Sequence, residues 1–420
     1  MRLLKQLAII LTLGLATQAT AQVVNIVWWD FLSGGDGVRM KAMIEEFNAE
    51  HPNINISGTT LEWGVPYYTR VQTAVPVGEG PDVMTYHTSR IPLSAPTGIF
   101  RPITDEDLAS VGLAKSDYFE AAVGGATFND QLMCVPLDIH SHILYYNRDI
   151  LRSIGMIGED GLPIGLDGAA NFTAALEKIQ AETDVLPLSL AIDSGSVWRL
   201  FYSLLSQQDG PPLIDGNEVY VGEEARNALE LIRGWVEAGL APDNAEYEAS
   251  IALFTGGQAA FHFNGVWEST TMKDLAARGD LFDWGAIAYP TFFDQPATWA
   301  DSHCFAIPAN PRNPISAEKL DAVLTAVAWM NRNSLTWAGA GHIPAYRAIV
   351  DSPEYAQLVP NSTYAILADS AQFDPASPVA GVASPLFDAV DNVLVPAIGG
   401  LLSIDDALQM FEQELESNLF

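Results

Sequence analysis

The opening of the chain constrains its fold more than any other stretch. Val23-Val24-Asn25-Ile26-Val27-Trp28 is a short β-rich run, and the turn-rich segment Ser33-Gly34-Gly35-Asp36-Gly37 follows it. Met40, Met43, Ile44 and Phe47 then recur at helical spacing. His51-Pro52-Asn53 ends that helix, and Ile54 and Ile56 begin an alternating strand. A strand, a helix and a strand in this order favour a parallel sheet, because such crossovers pack back onto one sheet with one hand. Gly78 to Pro81 reads as a turn, and Asp82-Val83-Met84 starts another strand. Further on, Phe172, Leu176 and Ile179 share a helix face, as do Leu229, Ile232 and Val236. Ser316 can cap a helix that buries Leu320, Val323, Val327 and Met330, and Ser403-x-x-Asp406 opens a last helix burying Leu408, Phe411 and Leu415. Alternating β and α elements over 420 residues point to α/β architecture, and the length suits a large two-lobed protein.

The balance of charge removes whole classes of function. Lys and Arg number 20 against 52 Asp and Glu, a formal net charge of -32. Such an anion repels phosphate backbones and anionic membrane surfaces, so no nucleic-acid partner is expected. With 49% hydrophobic residues the chain is also far too apolar for a disordered one. The acids are spread along the sequence, which reads as a solvated, repulsive surface.

The first residues give an address. Arg2 and Lys5 precede an apolar stretch from Leu7 to Ala16, too short to span a bilayer, and Ala19-Thr20-Ala21 has the small-x-small pattern of a cleavage site. Residues 1–21 are therefore expected to be a signal peptide, with Gln22 the new N-terminus. Loss of Arg2 and Lys5 leaves 18 basic and 52 acidic residues, a formal charge of -34. No Cys follows the cleavage site, so the expected product is soluble and periplasmic rather than a lipoprotein. In an oxidising compartment Cys134 and Cys304 could pair, or could remain as two buried thiols.

Five blocks carry a family resemblance. They are Phe47-Asn48-Ala49-Glu50-His51-Pro52-Asn53-Ile54 after the strand ending in Trp28; Gly80-Pro81-Asp82-Val83-Met84 with Gly98-Ile99-Phe100-Arg101-Pro102-Ile103; Val135-Pro136-Leu137-Asp138 running to Leu144-Tyr145-Tyr146-Asn147-Arg148-Asp149; Phe254-Thr255-Gly256-Gly257-Gln258-Ala259-Ala260-Phe261 ending in Asn264-Gly265-Val266-Trp267; and Gly341-His342-Ile343-Pro344-Ala345. In this order they resemble the family 1 extracellular solute-binding proteins, the maltose-binding-protein-like class that feeds carbohydrates to ABC importers. The blocks span nearly the whole mature chain. It departs from the family at Gln258 and Phe261, where Lys and Met are usual, and at Gly265-Val266-Trp267, where Gly-Pro-Trp is usual. The Pro-rich segment with a Trp that usually follows the Tyr-Asn block is also missing around Gly161-Leu162-Pro163.

The resemblance implies an α/β, two-lobed periplasmic binding protein fold of type II-like topology, with the ligand cleft between lobes joined by hinge strands. It implies an N-terminal lobe of 22–132 and 303–331 and a C-terminal lobe of 133–302 and 332–420. The function implied is capture of a sugar or sugar alcohol by hinge closure. Delivery to a membrane-bound ABC permease would follow, by a monomer with no cofactor, no metal and no enzymatic activity.

A sugar offers hydroxyls and flat C–H faces, so its site needs aromatic planes and hydrogen-bonding side chains. Trp28, Trp29 and Asp30 end the first strand, where ligands sit in open α/β sheets, although adjacent strand residues point oppositely and at most one Trp should face the cleft. Trp63 ends the second strand. The resemblance makes Tyr86, His87 and Arg90 a sugar-contacting loop and Trp267 a stacking platform. Asp138, His140 and His142 would share one face of an extended segment, and Asp138 and His140 are the candidates there. Trp198, His303, and Tyr346 with Arg347 complete the set, and Arg199 could line the same loop as Trp198. Three other readings compete. His140-x-His142 with further histidines could hold zinc. Two carboxylates could hydrolyse a glycoside. Arg90, Arg199 or Arg347 could select a phosphorylated or acidic ligand of the glycerol phosphate type.

Overall fold

A computed structural model describes residues 23–419. The expected signal peptide lies outside them. The opening β-α-β unit is present: Val24–Asp30, the helix Gly34–Glu50 and Ile54–Thr60, the two strands pairing in parallel from Val24 opposite Ile54 to Asp30 opposite Thr60. The helix begins within the segment read as a turn, because Gly34 takes a φ of +52° and Ser33 stands at its N-cap. Met40, Met43, Ile44 and Phe47 form its buried face as the spacing predicts.

Two sheets build the two lobes. The first has the order Ile54–Thr60, Val24–Asp30, Val83–His87, His303–Pro308, Phe100–Arg101, with Cys134–Pro136 also on His303–Pro308. The second is organised by the ten-residue strand Asp138–Asn147, every residue of which is buried. Four antiparallel neighbours meet this strand: Ala259–Gly265, Trp284–Ile287, Thr298–Asp301 and Ile343–Pro344. Burial along its whole length means that this strand is covered on both faces, although Asp138, His140, Ser141, His142 and Asn147 are polar. Helix Ala169–Glu182 buries Phe172, Leu176 and Ile179, and Glu223–Glu237 buries Leu229 and Ile232. Trp235 rather than Val236 completes the latter face, its indole N–H donating to Thr173 at 2.9 Å.

The chain changes sheets within single residues. Leu137 separates Cys134–Pro136 from Asp138–Asn147, and Ser302 separates Thr298–Asp301 from His303–Pro308. A third passage follows the helix Ala317–Arg332, which packs on Val24–Asp30, and reaches Ile343–Pro344 by way of Ser334–Ala338. Backbone bonds lace the three passages: Leu137 N–H donates to the His303 carbonyl at 2.8 Å, and Ala345 N–H to the Leu137 carbonyl at 3.0 Å. Cys134 and Cys304 are joined in a disulfide with Cα atoms 5.7 Å apart, so the alternative of two free thiols does not apply. Among the described residues no helix is long and apolar enough to cross a membrane.

Candidate functional site

A cavity of about 690 Å³ lies between the sheets. The first sheet contributes the C-terminal ends of its parallel strands, the position at which open α/β sheets hold ligands. Phe31 to Asp36 follow the first strand, Trp63 follows the second, and His87 ends the third. The second lobe contributes Asp193, Gly195 and Arg199 from the start of helix Ser194–Ser206, Tyr247 and Glu248 from helix Tyr247–Thr255, and Trp267, Glu268 and Trp299. His140, His303 and His342, from the three interlobe passages, close its base.

The aromatic planes are held in place by specific neighbours. Phe31 stacks on His87 with centroids 4.5 Å apart and an interplanar angle of 13°. The Trp267 indole N–H donates to the Tyr247 hydroxyl at 2.8 Å, and its six-membered ring covers Gly265, where any Cβ would overlap it. A Cβ on Gly341, whose φ is +107°, would collide with the carbonyl of Val266, so a glycine there lets the third passage abut the turn that carries Trp267.

Asp138 is the hub of the base. Its carboxylate accepts from the His140 ring at 3.0 Å, from the His303 ring at 2.8 Å and backbone N–H at 2.9 Å, and from the Trp337 indole at 2.6 Å. His342 lies 3.3 Å from it and bonds Asp36 on its other nitrogen at 3.0 Å. One buried carboxylate thus touches all three passages. Burial works against this charge, yet the surrounding His303, His342 and His140 hold it well below the usual carboxylate range. Burial and then its neighbours His303 and His140 push His87 well down, so it is a neutral ring. Burial also opposes protonation of His342, but Asp36 and Asp138 outweigh it and raise the ring.

Asp138, His140, His303 and His342 bring four ligand-type atoms within 4.8 Å of one another, and His87, His140 and Asp301 bring three. The Asp138 oxygens in the first group are already engaged by N–H donors, which makes it a self-contained hydrogen-bonded cluster. His262, a further histidine of the metal reading, is buried beside the Ser189 carbonyl and pushed down to about 4 by desolvation.

The residues singled out from sequence separate clearly. Trp63, His87, His140, Trp267 and His303 line the cavity. Trp28 is core: its indole N–H bonds Thr85 at 3.0 Å and its ring meets Phe305 edge-on. Trp29 lies under Arg70 outside the cavity, and Asp30 turns back to accept the Leu32 N–H at 3.1 Å. Tyr86 is fully buried against Ser94. Arg90 sits over the Tyr68 ring and reaches across to the carbonyls of Val382 and Ala383 at 3.2 and 2.7 Å. Asp138 lies beneath the cavity as described. Trp198 is core, its indole bonded to Asp374 at 2.7 Å. Tyr346 packs edge-on to Tyr118, and Arg347 is exposed over Phe119, both away from the cavity. Sequence reasoning did not select Phe31, Asp36, Asp193, Tyr247, Glu248, Glu268, Trp299, His342 or Phe387, all of which line it. Arg199, the neighbour of Trp198 on the same helix, lines it as well.

The family model described as bacterial extracellular solute-binding protein matches residues 42–361. Among solved structures, the GacH receptor of Streptomyces glaucescens, solved unliganded and with acarbose and an acarbose homolog, superposes with a TM-score of 0.78 at 19% identity. That match covers 94% of this chain and 98% of the receptor. The cyclic α-maltosyl-1,6-maltose-binding protein of Arthrobacter globiformis gives 0.75 at 20% identity over 94% and 99% of the two chains. The sugar-binding protein MalE of Xanthomonas citri gives 0.77 at 19% identity over 94% and 97%. At these identities the likeness is one of fold. No curated protein sequence matches the chain.

Proposed function

The chain belongs to the bacterial extracellular solute-binding proteins, and from that premise we propose that it captures a carbohydrate between its lobes and delivers it to the permease of an ABC importer. The observation that carries the reading is the cavity itself. Its volume of about 690 Å³ suits a small saccharide, and aromatic planes face it from both sheets, Phe31 and Trp63 on one side, Trp267 and Trp299 on the other. Between them stand hydrogen-bonding groups, His87, His140, Tyr247 and Asp36 among them, able to meet ring hydroxyls. Solved structures like it in fold include proteins described as binding acarbose, a cyclic maltosyl-maltose and sugars.

In this reading the lobes comprise 22–136 with 303–331 and 138–302 with 332–420, the first boundary moving from 132 to Leu137 because Cys134–Pro136 pairs with His303–Pro308 in the first sheet. Closure pivots on the three passages tied by Asp138, and the ligand stabilises the closed form through contacts to both walls. The mature protein works as a soluble periplasmic monomer, and it binds rather than converts its ligand. Trp63, His87, His140, Trp267 and His303 are the contacts proposed from the original set, with Arg199, Tyr247 and Trp299 added.

The test is calorimetry on residues 22–420 with mono-, di- and oligosaccharides, polyols and zinc. Saturable binding of one carbohydrate group, weakened at least about tenfold in Trp267→Ala, is the expected result. Binding of zinc alone, or turnover of an added glycoside, would refute it.

A further inference from the structure

Arg199 stands out among the cavity residues as a cation with nothing to hold. It is 9% exposed and lines the cavity. Its guanidinium lies over two rings, 5.2 Å from the Trp267 centroid and 4.8 Å from that of Trp299. Its Nε is buried without a hydrogen-bond partner, and among the described residues no carboxylate reaches it within ion-pair distance. A guanidinium carries five N–H donors, and leaving a buried charge unpaired is strongly unfavourable, so such a group is kept where something brings it an acceptor.

The nearby acids are committed elsewhere. Asp193 accepts from the Ser196 N–H and hydroxyl at 2.9 and 2.8 Å at the start of the helix that carries Arg199. Asp301 is engaged by Thr88, Ser89 and Ser302. Asp374 accepts from the indoles of Trp198 and Trp299. Burial pushes Asp374 up to about 7, which removes much of its charge near neutral pH. Of the acids on the cavity wall, Asp36 is paired with His342, burial raises Glu268, and Glu248 is exposed to solvent. The other arginines weighed for an anionic ligand are occupied. Arg90 spans to Val382 and Ala383, and Arg347 lies outside on Phe119.

We propose that the ligand is an acidic saccharide, a sugar carrying one carboxylate, whose two oxygens take the open nitrogens of Arg199 while its ring rests against the aromatic walls. A carboxylate matches the planar fork of guanidinium with parallel hydrogen bonds. A single free guanidinium balances one negative charge, which favours a carboxylate over a phosphate dianion in a protein so acidic. The inference rests on the carbohydrate-binding reading and narrows it.

The experiment titrates the protein, residues 22–420, with matched pairs: galacturonate against galactose, glucuronate against glucose, and the di- and trisaccharides of each, with inorganic phosphate alongside. The acid of a productive pair should bind at least roughly 100-fold more tightly than its neutral partner, as expected for a desolvated charge pair. In Arg199→Met that ratio should collapse toward one, and Arg199→Lys should retain part of it, with circular dichroism checking the fold of both. A neutral sugar binding as well as or better than its acid overturns this inference and leaves the carbohydrate reading intact. Phosphate binding without uronate binding overturns it in favour of a phosphate ester. Failure of acid and neutral saccharides alike overturns the carbohydrate reading, and this inference with it.

Discussion

Gly265 offers a test of the cavity wall that needs no ligand. Its φ of -78° is open to any residue, so Gly265→Ala brings no backbone strain. The added Cβ would instead overlap the six-membered ring of Trp267 and force the indole to leave. Two interactions go with it. The 2.8 Å bond to the Tyr247 hydroxyl is worth about 1 kcal/mol. The cation–π contact with Arg199 at 5.2 Å is worth about 1–2 kcal/mol when desolvated. Gly265→Ala should therefore cost roughly 2–3 kcal/mol. Trp267→Ala should cost a similar amount, and the double variant should be no worse than Trp267→Ala alone, since the methyl then enters vacated space. The assay is urea unfolding of all four proteins followed by far-ultraviolet circular dichroism. The coupling in the cycle should approach the whole cost of Gly265→Ala. If that substitution costs the same with and without the indole, the ring does not lie over Gly265 and this account of the wall is wrong.

Other outcomes follow from the same contacts. Asp138→Ala strips the partner from His140, His303 and Trp337 at once and should destabilise by about 3–5 kcal/mol in the same assay, where a loss below about 1 kcal/mol would dismiss the hub. Trp63 is 46% exposed at the cavity mouth, so Trp63→Ala should leave stability within about 0.5 kcal/mol while weakening saccharide binding by calorimetry. Asp374 has a folded-state value raised from 3.8 to about 7, so it stabilises the fold fully below pH 3.8, and that contribution is lost as pH rises through 7. The difference corresponds to on the order of 4 kcal/mol, and Asp374→Asn should flatten the decline measured by urea unfolding between pH 4 and 7. His262 acts oppositely: lowered from 6.5 to about 4, it contributes above pH 6.5 and loses that contribution as pH falls through 4. With Asp374 replaced, the largest opposing contribution is gone and this acid-side loss should emerge, and a flat profile there would contradict it.

What could be read from sequence was whatever repeats locally. The period of Met40, Met43, Ile44 and Phe47 found the first helix, and the alternation at Ile54 and Ile56 found its partner strand. Strand ends were also found, which is why Trp63 and His87 proved to line the cavity. Side-chain direction was not readable. Helix Ser194–Ser206 is buried on nearly every face, so no polar stripe tells Arg199 from Trp198, although neighbours on a helix point about 100° apart. Nor could sequence see that Asp138 is consumed by partners 165 and 199 positions away, His303 and Trp337, before a ligand could reach it. The first strand was right in place and wrong in residues: the wall begins at Phe31, just past Trp28, Trp29 and Asp30.

The link between Cys134 and Cys304 closes a covalent ring of chain that contains five strands of the second sheet, from Asp138–Asn147 to Thr298–Asp301. Ile343–Pro344 and Ala371–Phe373 remain outside it. A single protease cut inside the ring leaves one covalent molecule, separable only after reduction, whereas a cut beyond the third passage releases a free C-terminal fragment. Unfolding of the second lobe likewise leaves the first two hinge strands fastened at their first-lobe ends. Each return to the folded state then starts from a pivot whose strands never parted, and repeated opening cannot work them loose.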